Sequence, residues 1–182
     1  MFHTREPIQL TRDVQAVMIP AGNRVIIPEG TAVQVAQSLG GSFTVYLGGQ
    51  LARIAGQDAD ALGEEPLRQP ELPENATDED IERLVWEQLK TCYDPEIPID
   101  IVNLGLIYRC EMKDAGDGEK IVEIDMTLTA PGCGMGGVIA ADVKDKVEAV
   151  PRVREAIVEI TFDPPWNQSM MSDEAKLRTG MF

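Results

Sequence analysis

Between residues 106 and 150 the spacing of apolar residues changes once, from every second to every third or fourth position, and the change is made across a short run of proline and glycine. Residues 121–128 alternate, with Val122, Ile124, Met126 and Leu128 on one side and Glu123 and Asp125 on the other, which is the pattern of a half-buried strand. Ile139, Val143, Val147 and Val150 then recur at the spacing of one helix face. Pro131, Gly132, Cys133 and Gly134 lie between the two patterns, so the chain must turn there, with the helix beginning near Gly136 or Gly137. Upstream, residues 106–112 also alternate, placing Leu106, Tyr108, Cys110 and Met112 on one face and Ile107, Arg109 and Glu111 on the other. The loop at 113–118 joins the two runs into a hairpin, and Cys110 reads as a small buried core residue. Pro151 ends the helix, and residues 152–162 form a third strand with Ala156, Val158, Ile160 and Phe162 on one side.

A further helix precedes the hairpin. Thr77 offers a capping hydroxyl, Asp78, Glu79 and Asp80 favour the positive end of the helix dipole, and Ile81, Leu84, Val85, Gln88 and Leu89 fall on one face. Pro95 stops it before Asp94, leaving Cys92 at its end. The expected class is α+β: a small three-stranded sheet with two main helices on one face. The tail carries Trp166, Met170 and Met171 as packing residues, then a short helix capped by Ser172.

The N-terminal part reads differently. Apolar or β-branched runs at 14–19, 24–27, 32–36, 43–47 and 51–54 are separated by glycine- and proline-containing turns, the mark of a small antiparallel β unit. It holds no cysteine, and its glycine pairs do not sit between a strand and a helix, so a structural or partner-docking role is expected. The domain plan is therefore a β-rich unit at 1–56, a linker rich in proline and acid at 57–75, and an α+β domain with its tail at 76–182.

Charge and cysteine content exclude several classes. With 16 basic against 31 acidic residues the net charge is -15, which argues against a nucleic-acid partner. Most of it, -12, falls in residues 74–182. No apolar run approaches the roughly 20 residues that span a bilayer, and no basic stretch followed by an apolar one marks a secretory signal. A cytoplasmic protein with no membrane partner is expected. Three cysteines, Cys92, Cys110 and Cys133, with no C-x-x-C pair and the single histidine His3, exclude the common single-chain zinc spacings and a disulfide framework.

Two readings of Cys133 are open. A glycine and proline turn can simply contain a small residue. A cysteine between a strand and a helix start can also be held as thiolate by free backbone N–H groups and the helix dipole, and then bind metal or attack an electrophile. Asp94 and Glu96 form a rigid acidic loop, in which Asp94 either closes its own turn or lies beside the sulfur. Carboxylates there would oppose a thiolate, whereas a bound iron would be stabilised by both.

Four segments, Asp94-Pro95-Glu96, residues 101–108, residues 126–133 and residues 162–166, occur together in an order that resembles the metal-sulfur (iron-sulfur) cluster assembly family. The N-terminal extension and the ending after Met171 resemble its SufT-type branch. The resemblance covers residues 74–182 and departs from the family pattern at Gly134, where many members carry proline, and at Asn103, where aspartate is more common. It implies a homologous fold and a non-enzymatic accessory factor in iron-sulfur cluster assembly or maturation. Cys133 would be the metal and cofactor residue, and Asp94 and Glu96 would match the acidic motif. The cofactor implied is an iron-sulfur cluster or iron, held stably or transiently, and the partners are iron-sulfur assembly proteins and apo-protein clients. Because a cluster takes several thiolates, a homodimer or a partner thiol is expected to complete the ligand set. The alternatives are a redox enzyme using Cys133 and an accessory subunit of an oxygenase complex. For the enzyme, the sequence offers no histidine near the site as base.

Overall fold

The apolar, β-branched runs between the N-terminal turns all become strands. The computed structural model describes residues 6–94, 97–132 and 134–181, and the chain divides into two units, Met1–Gln69 and Pro70–Phe182. In the first, β1 (Ile8–Gln9), β2 (Val14–Ile19), β3 (Arg24–Ile27), β4 (Ala32–Leu39), β5 (Ser42–Leu47) and β6 (Gln50–Ile54) form an antiparallel sheet in the order β1-β4-β5-β6-β2-β3. Alternate residues such as Val14, Ile27, Val33, Val45 and Ile54 are buried in a core of its own.

The expected linker at 57–75 starts too early. Gly56–Leu62 coil into a 3-10 segment whose Ala59, Ala61 and Leu62 enter that core. The acids read as linker residues are held by one guanidinium: Arg12 Nη2 donates to Asp58 Oδ1 at 2.8 Å, and its Nε and Nη2 reach the Asp60 carboxylate at 2.8 and 2.7 Å. Leu67 N–H still bonds to the Gly56 carbonyl at 2.9 Å, so the chain leaves this unit only after Leu67.

In the second unit α1 (Asp78–Leu89) opens on a capping box. Thr77 Oγ1 accepts from Asp80 N–H at 3.3 Å, and Asp80 Oδ2 accepts from Thr77 N–H at 2.9 Å. Then follow β7 (Ile107–Gly116), β8 (Glu119–Met126), α2 (Gly136–Glu148), β9 (Val153–Ile160) and α3 (Asp173–Thr179). The sheet order is β7-β8-β9, with β7 and β8 an antiparallel hairpin and β9 parallel to β8. A parallel pair needs a crossover, and α2 supplies it. Ile81, Val85 and Leu89 of α1 and Val143 and Val147 of α2 meet Val122, Ile124 and Met126 of β8 in one core. The chain is thus α+β, with the helices on one face of the three-stranded sheet.

Three details depart from strict alternation. The β7–β8 register shifts between Ile107 and Arg109, so Tyr108 leaves the core side and its hydroxyl donates to the Pro164 carbonyl at 2.8 Å. Cys110, expected to be buried, is only half-buried against the core. Ile160 and Phe162, expected on the covered face, are 36% and 44% exposed. Over that end of the sheet α2 begins with Gly136 and Gly137, which carry no side chain to cover them; Ile160 Cδ1 lies 3.5 Å from where a Cβ on Gly136 would stand.

The tail folds back on the loop before β7. Trp166 Nε1 donates to the Leu104 carbonyl at 2.7 Å. Ser172 bonds Asn103 twice, N–H to the carbonyl at 2.8 Å and hydroxyl to Oδ1 at 2.8 Å, and caps α3 by accepting from Ala175 N–H at 3.1 Å. Gly105, at φ 74°, comes so close to the tail that a Cβ would stand 2.2 Å from the Met170 carbonyl oxygen. Gly105→Ala is therefore expected to cost about 2 kcal/mol or more, from the left-handed backbone and the backbone clash together, and to expose Trp166 to solvent. Urea unfolding followed by tryptophan fluorescence checks both.

The capping box predicts a pH dependence. The Thr77 N–H and hydroxyl, with Arg83 adding to them, hold the Asp80 carboxyl below the usual carboxylate range. A carboxyl lowered on folding contributes stability that is complete above its unfolded value and is lost as pH falls through the folded one. The stability difference between wild type and Asp80→Asn should accordingly hold near neutrality and close as the solution becomes strongly acidic, measured by urea titrations across that range.

Candidate functional site

The end of α1 and the exit from β8 meet through one buried carboxylate. Pro95 keeps Asp94 out of the helix, and α1 ends before that limit, at Leu89 with Lys90 as its C-cap. Asp94 closes the turn that results: its N–H donates to the Ile99 carbonyl at 3.3 Å, and its Oδ1 accepts from Ile97 N–H at 2.9 Å. Its other oxygen, Oδ2, accepts from Thr129 Oγ1 at 3.4 Å. Asp94 is 2% exposed. It therefore closes its own turn and also reaches the loop that leads to position 133.

The next loop is held in the same manner. Asp100, also buried, accepts from Val102 N–H at 3.1 Å and Asn103 N–H at 2.9 Å through Oδ1, and from Asn103 Nδ2 at 2.7 Å through Oδ2. Asn103 thus donates to a carboxylate on one side and accepts the Ser172 hydroxyl on the other. An aspartate at 103 would have no side-chain N–H to offer Asp100 Oδ2, so the amide suits this carboxylate partner. Sequence reasoning missed Asp100, Asn103 and Thr129 as organising residues. The first had a readable signal, an aspartate followed at two and three residues by N–H groups it can accept from. Thr129 had none, because its partner lies 35 residues away.

From Met126 the chain continues through Thr127, whose N–H bonds the Leu106 carbonyl at 2.8 Å, and through buried Leu128 into an exposed turn. Ala130, Pro131, Gly132 and Gly134 are exposed, and Gly132 has φ 78°, a conformation that costs glycine little. Cys133 and Glu96 lie outside the described residues. Helix α2 starts at Gly136, three residues past Cys133, as the sequence predicts. Its N-cap, Met135, makes no side-chain cap bond, and no acid lies in its first turn. Both α1 and α3 differ: Thr77 and Ser172 cap them, with acids in the first turn. The positive end of α2 is thus the one not offset by a side chain of its own first turn.

The other thiols are poor nucleophiles. Burial, with Glu82 adding to it, pushes the Cys110 thiol up to about 11, which leaves a thiolate fraction on the order of 10⁻⁴ at neutral pH. Cys92 is fully buried, with Sγ 3.7 Å from the Gln88 carbonyl. Among the described residues no three of His, Cys, Asp and Glu gather so as to hold a metal ion.

If Asp94 is the tie between the two loops, Asp94→Ala should cost about 1–3 kcal/mol, because it leaves the Ile97 N–H and the Thr129 hydroxyl without their acceptor. Thr129→Val removes only the longer bond and should cost less, yet should change the alkylation rate of Cys133. Urea unfolding and iodoacetamide kinetics on both variants test this, and an unchanged rate in Thr129→Val would show that the tie does not govern the turn.

Residues 82–160 match the family described as iron-sulfur cluster assembly protein. A Fe-S protein maturation auxiliary factor of Porphyromonas gingivalis is 46% identical over 104 residues, which are 57% of this chain and 91% of that protein. The Fe-S protein maturation auxiliary factor SufT of Staphylococcus aureus is 43% identical over 88 residues, 48% of this chain and 96% of its own length. For the Fe-S protein maturation auxiliary factor YitW of Bacillus subtilis the values are 36% over 104 residues, 57% and 98%. Each relative is matched over nearly its whole length, and each match takes up about half of this chain.

Proposed function

We propose that Cys133 is the working residue of this chain, which belongs to the iron-sulfur cluster assembly protein family and is an accessory factor in iron-sulfur protein maturation. In this reading the cluster, or an iron precursor of it, is cargo rather than a resident group. The Cys133 sulfur holds it as a thiolate, the Glu96 carboxylate adds a hard donor, and Asp94 keeps the acidic loop and the Cys133 turn in register. The observation that carries the reading is the Asp94–Thr129 contact, which ties the acidic motif to the loop leading to Cys133. The uncapped start of α2 adds to it, because a helix N-terminus favours a thiolate over a thiol.

A single cysteine cannot fill the coordination of a cluster. The remaining ligands come from a second copy of the chain, from an assembly protein delivering the cargo, or from the apo-protein client receiving it. The chain acts as a carrier in the cytoplasm and performs no turnover of its own. No helix among the described residues is long and apolar enough to cross a membrane.

Anaerobic reconstitution with iron and sulfide, followed by absorbance spectroscopy and metal analysis, tests the proposal. Wild type should take up iron and sulfide, and Cys133→Ser should lose most of that uptake while keeping its melting temperature. Equal uptake by the two proteins would sink the role of Cys133. In the metal-free protein at neutral pH, iodoacetamide should label Cys133 alone, with Cys92 and Cys110 modified only after unfolding, as read by peptide mass spectrometry.

A further inference from the structure

The helix-free face of the β7-β8-β9 sheet carries a second feature that the Cys133 reading does not use. An open cleft of about 1010 Å³ lies between this face and the start of the tail. Tyr108, Pro164 and Met170 supply its apolar lining, and Asp125, Glu159 and Asp163 its carboxylates. Apolar exposure continues on the same face: Ile157, two residues before Glu159 in β9, is 38% exposed.

The charges of this face do not balance. Arg109 lies in the cleft but is already occupied, with Nε and Nη2 on Asp125 at 2.7 and 3.1 Å and Nη1 on Glu111 and Glu123 at 2.8 and 3.1 Å. Lys113 is bound to Glu123 at 2.7 Å. Glu159 stands directly across from Asp125 in the β8–β9 register, a like-charge pair that disfavours itself. Among the described residues neither Glu159 nor Asp163 has a cationic partner. The cleft therefore offers apolar surface with uncompensated carboxylates at one end.

We propose that this cleft docks an extended segment of a partner protein in which arginine or lysine alternates with apolar side chains. The cation would neutralise Glu159 and Asp163 and relieve the Asp125–Glu159 opposition, while the apolar side chains would cover Ile157, Pro164 and Met170. Alternation is the natural spacing, since an extended chain presents every second side chain to one surface. The negative field of residues 74–182 draws basic segments in and turns acidic ones away. The proposal does not depend on Cys133, and either can fail without the other.

The test uses the full chain and a fluorescein-labelled peptide alternating leucine with arginine, against the same peptide with glutamate in place of arginine. Anisotropy should show binding of the basic peptide only, weakening as salt is raised. Backbone amide shifts should map to Arg109, Asp125, Glu159 and Thr161. Glu159→Lys/Asp163→Lys should weaken binding by about tenfold or more, since like charges now face each other, and Cys133→Ser should leave it unchanged. Equal binding by the charge-reversed variant, or shifts confined to the acidic first turn of α1, would overturn the proposal in favour of unspecific attraction. Loss of a dimer in the charge-reversed variant, seen by sedimentation, would overturn it in favour of a second copy as the occupant.

Discussion

A buried carboxylate that accepts from donors on two loops, Asp94, joins the turn after α1 to the loop after β8. Asp94 cannot be solvated where it lies, so its oxygens must find donors in the protein. One donor, Ile97 N–H, is local and shapes the acidic turn; the other, Thr129, comes from the far side of the hairpin. That second bond joins the turn at Asp94 to the loop that follows β8. Asp100 repeats the device one loop later, and Asn103 passes the constraint to the tail through Ser172. Two buried carboxylates and one amide thus connect four segments that share no regular secondary structure.

The helix termini sort themselves by task. Where a helix only needs to be stable, its orphan N–H groups are answered by a hydroxyl and its dipole by acids, as at Thr77 and Ser172. At α2, three residues past Cys133, the N-cap Met135 makes no side-chain cap bond and no acid lies in the first turn. The positive end of that helix is therefore not offset by its own first turn. Cys92 and Cys110 lie against the core, and burial keeps Cys110 protonated.

The first unit is organised separately. Its buried residues form a cluster distinct from that of the second, and the family match at 82–160 falls within the second. The guanidinium of Arg12 bridges Asp58 and Asp60 of the 3-10 segment, whose Ala59, Ala61 and Leu62 enter the core of this unit. The acids of that segment look like those of any solvated linker until their partner, more than forty residues earlier, is in place.

What the sequence by itself determined were the features decided within a turn or two of chain. The Thr77 cap, the stop at Pro95, the alternation of Val122, Ile124 and Met126, the helix beginning at Gly136 and the Ser172 cap all follow from neighbours close enough for periodicity and capping to act. The α+β arrangement followed from these, because a sheet with one apolar face must be covered by the helices beside it. Only the tertiary structure decided the pairings between distant residues: Thr129 on Asp94, Arg12 on Asp58 and Asp60, Tyr108 on Pro164, Trp166 on Leu104. It also decided that Ile160 and Phe162 emerge at the surface, since that depends on which residues of α2 pass over the strand end. Such contacts join positions tens of residues apart, and no local pattern specifies them; they exist only once the backbone has brought a donor within about 3 Å of an acceptor.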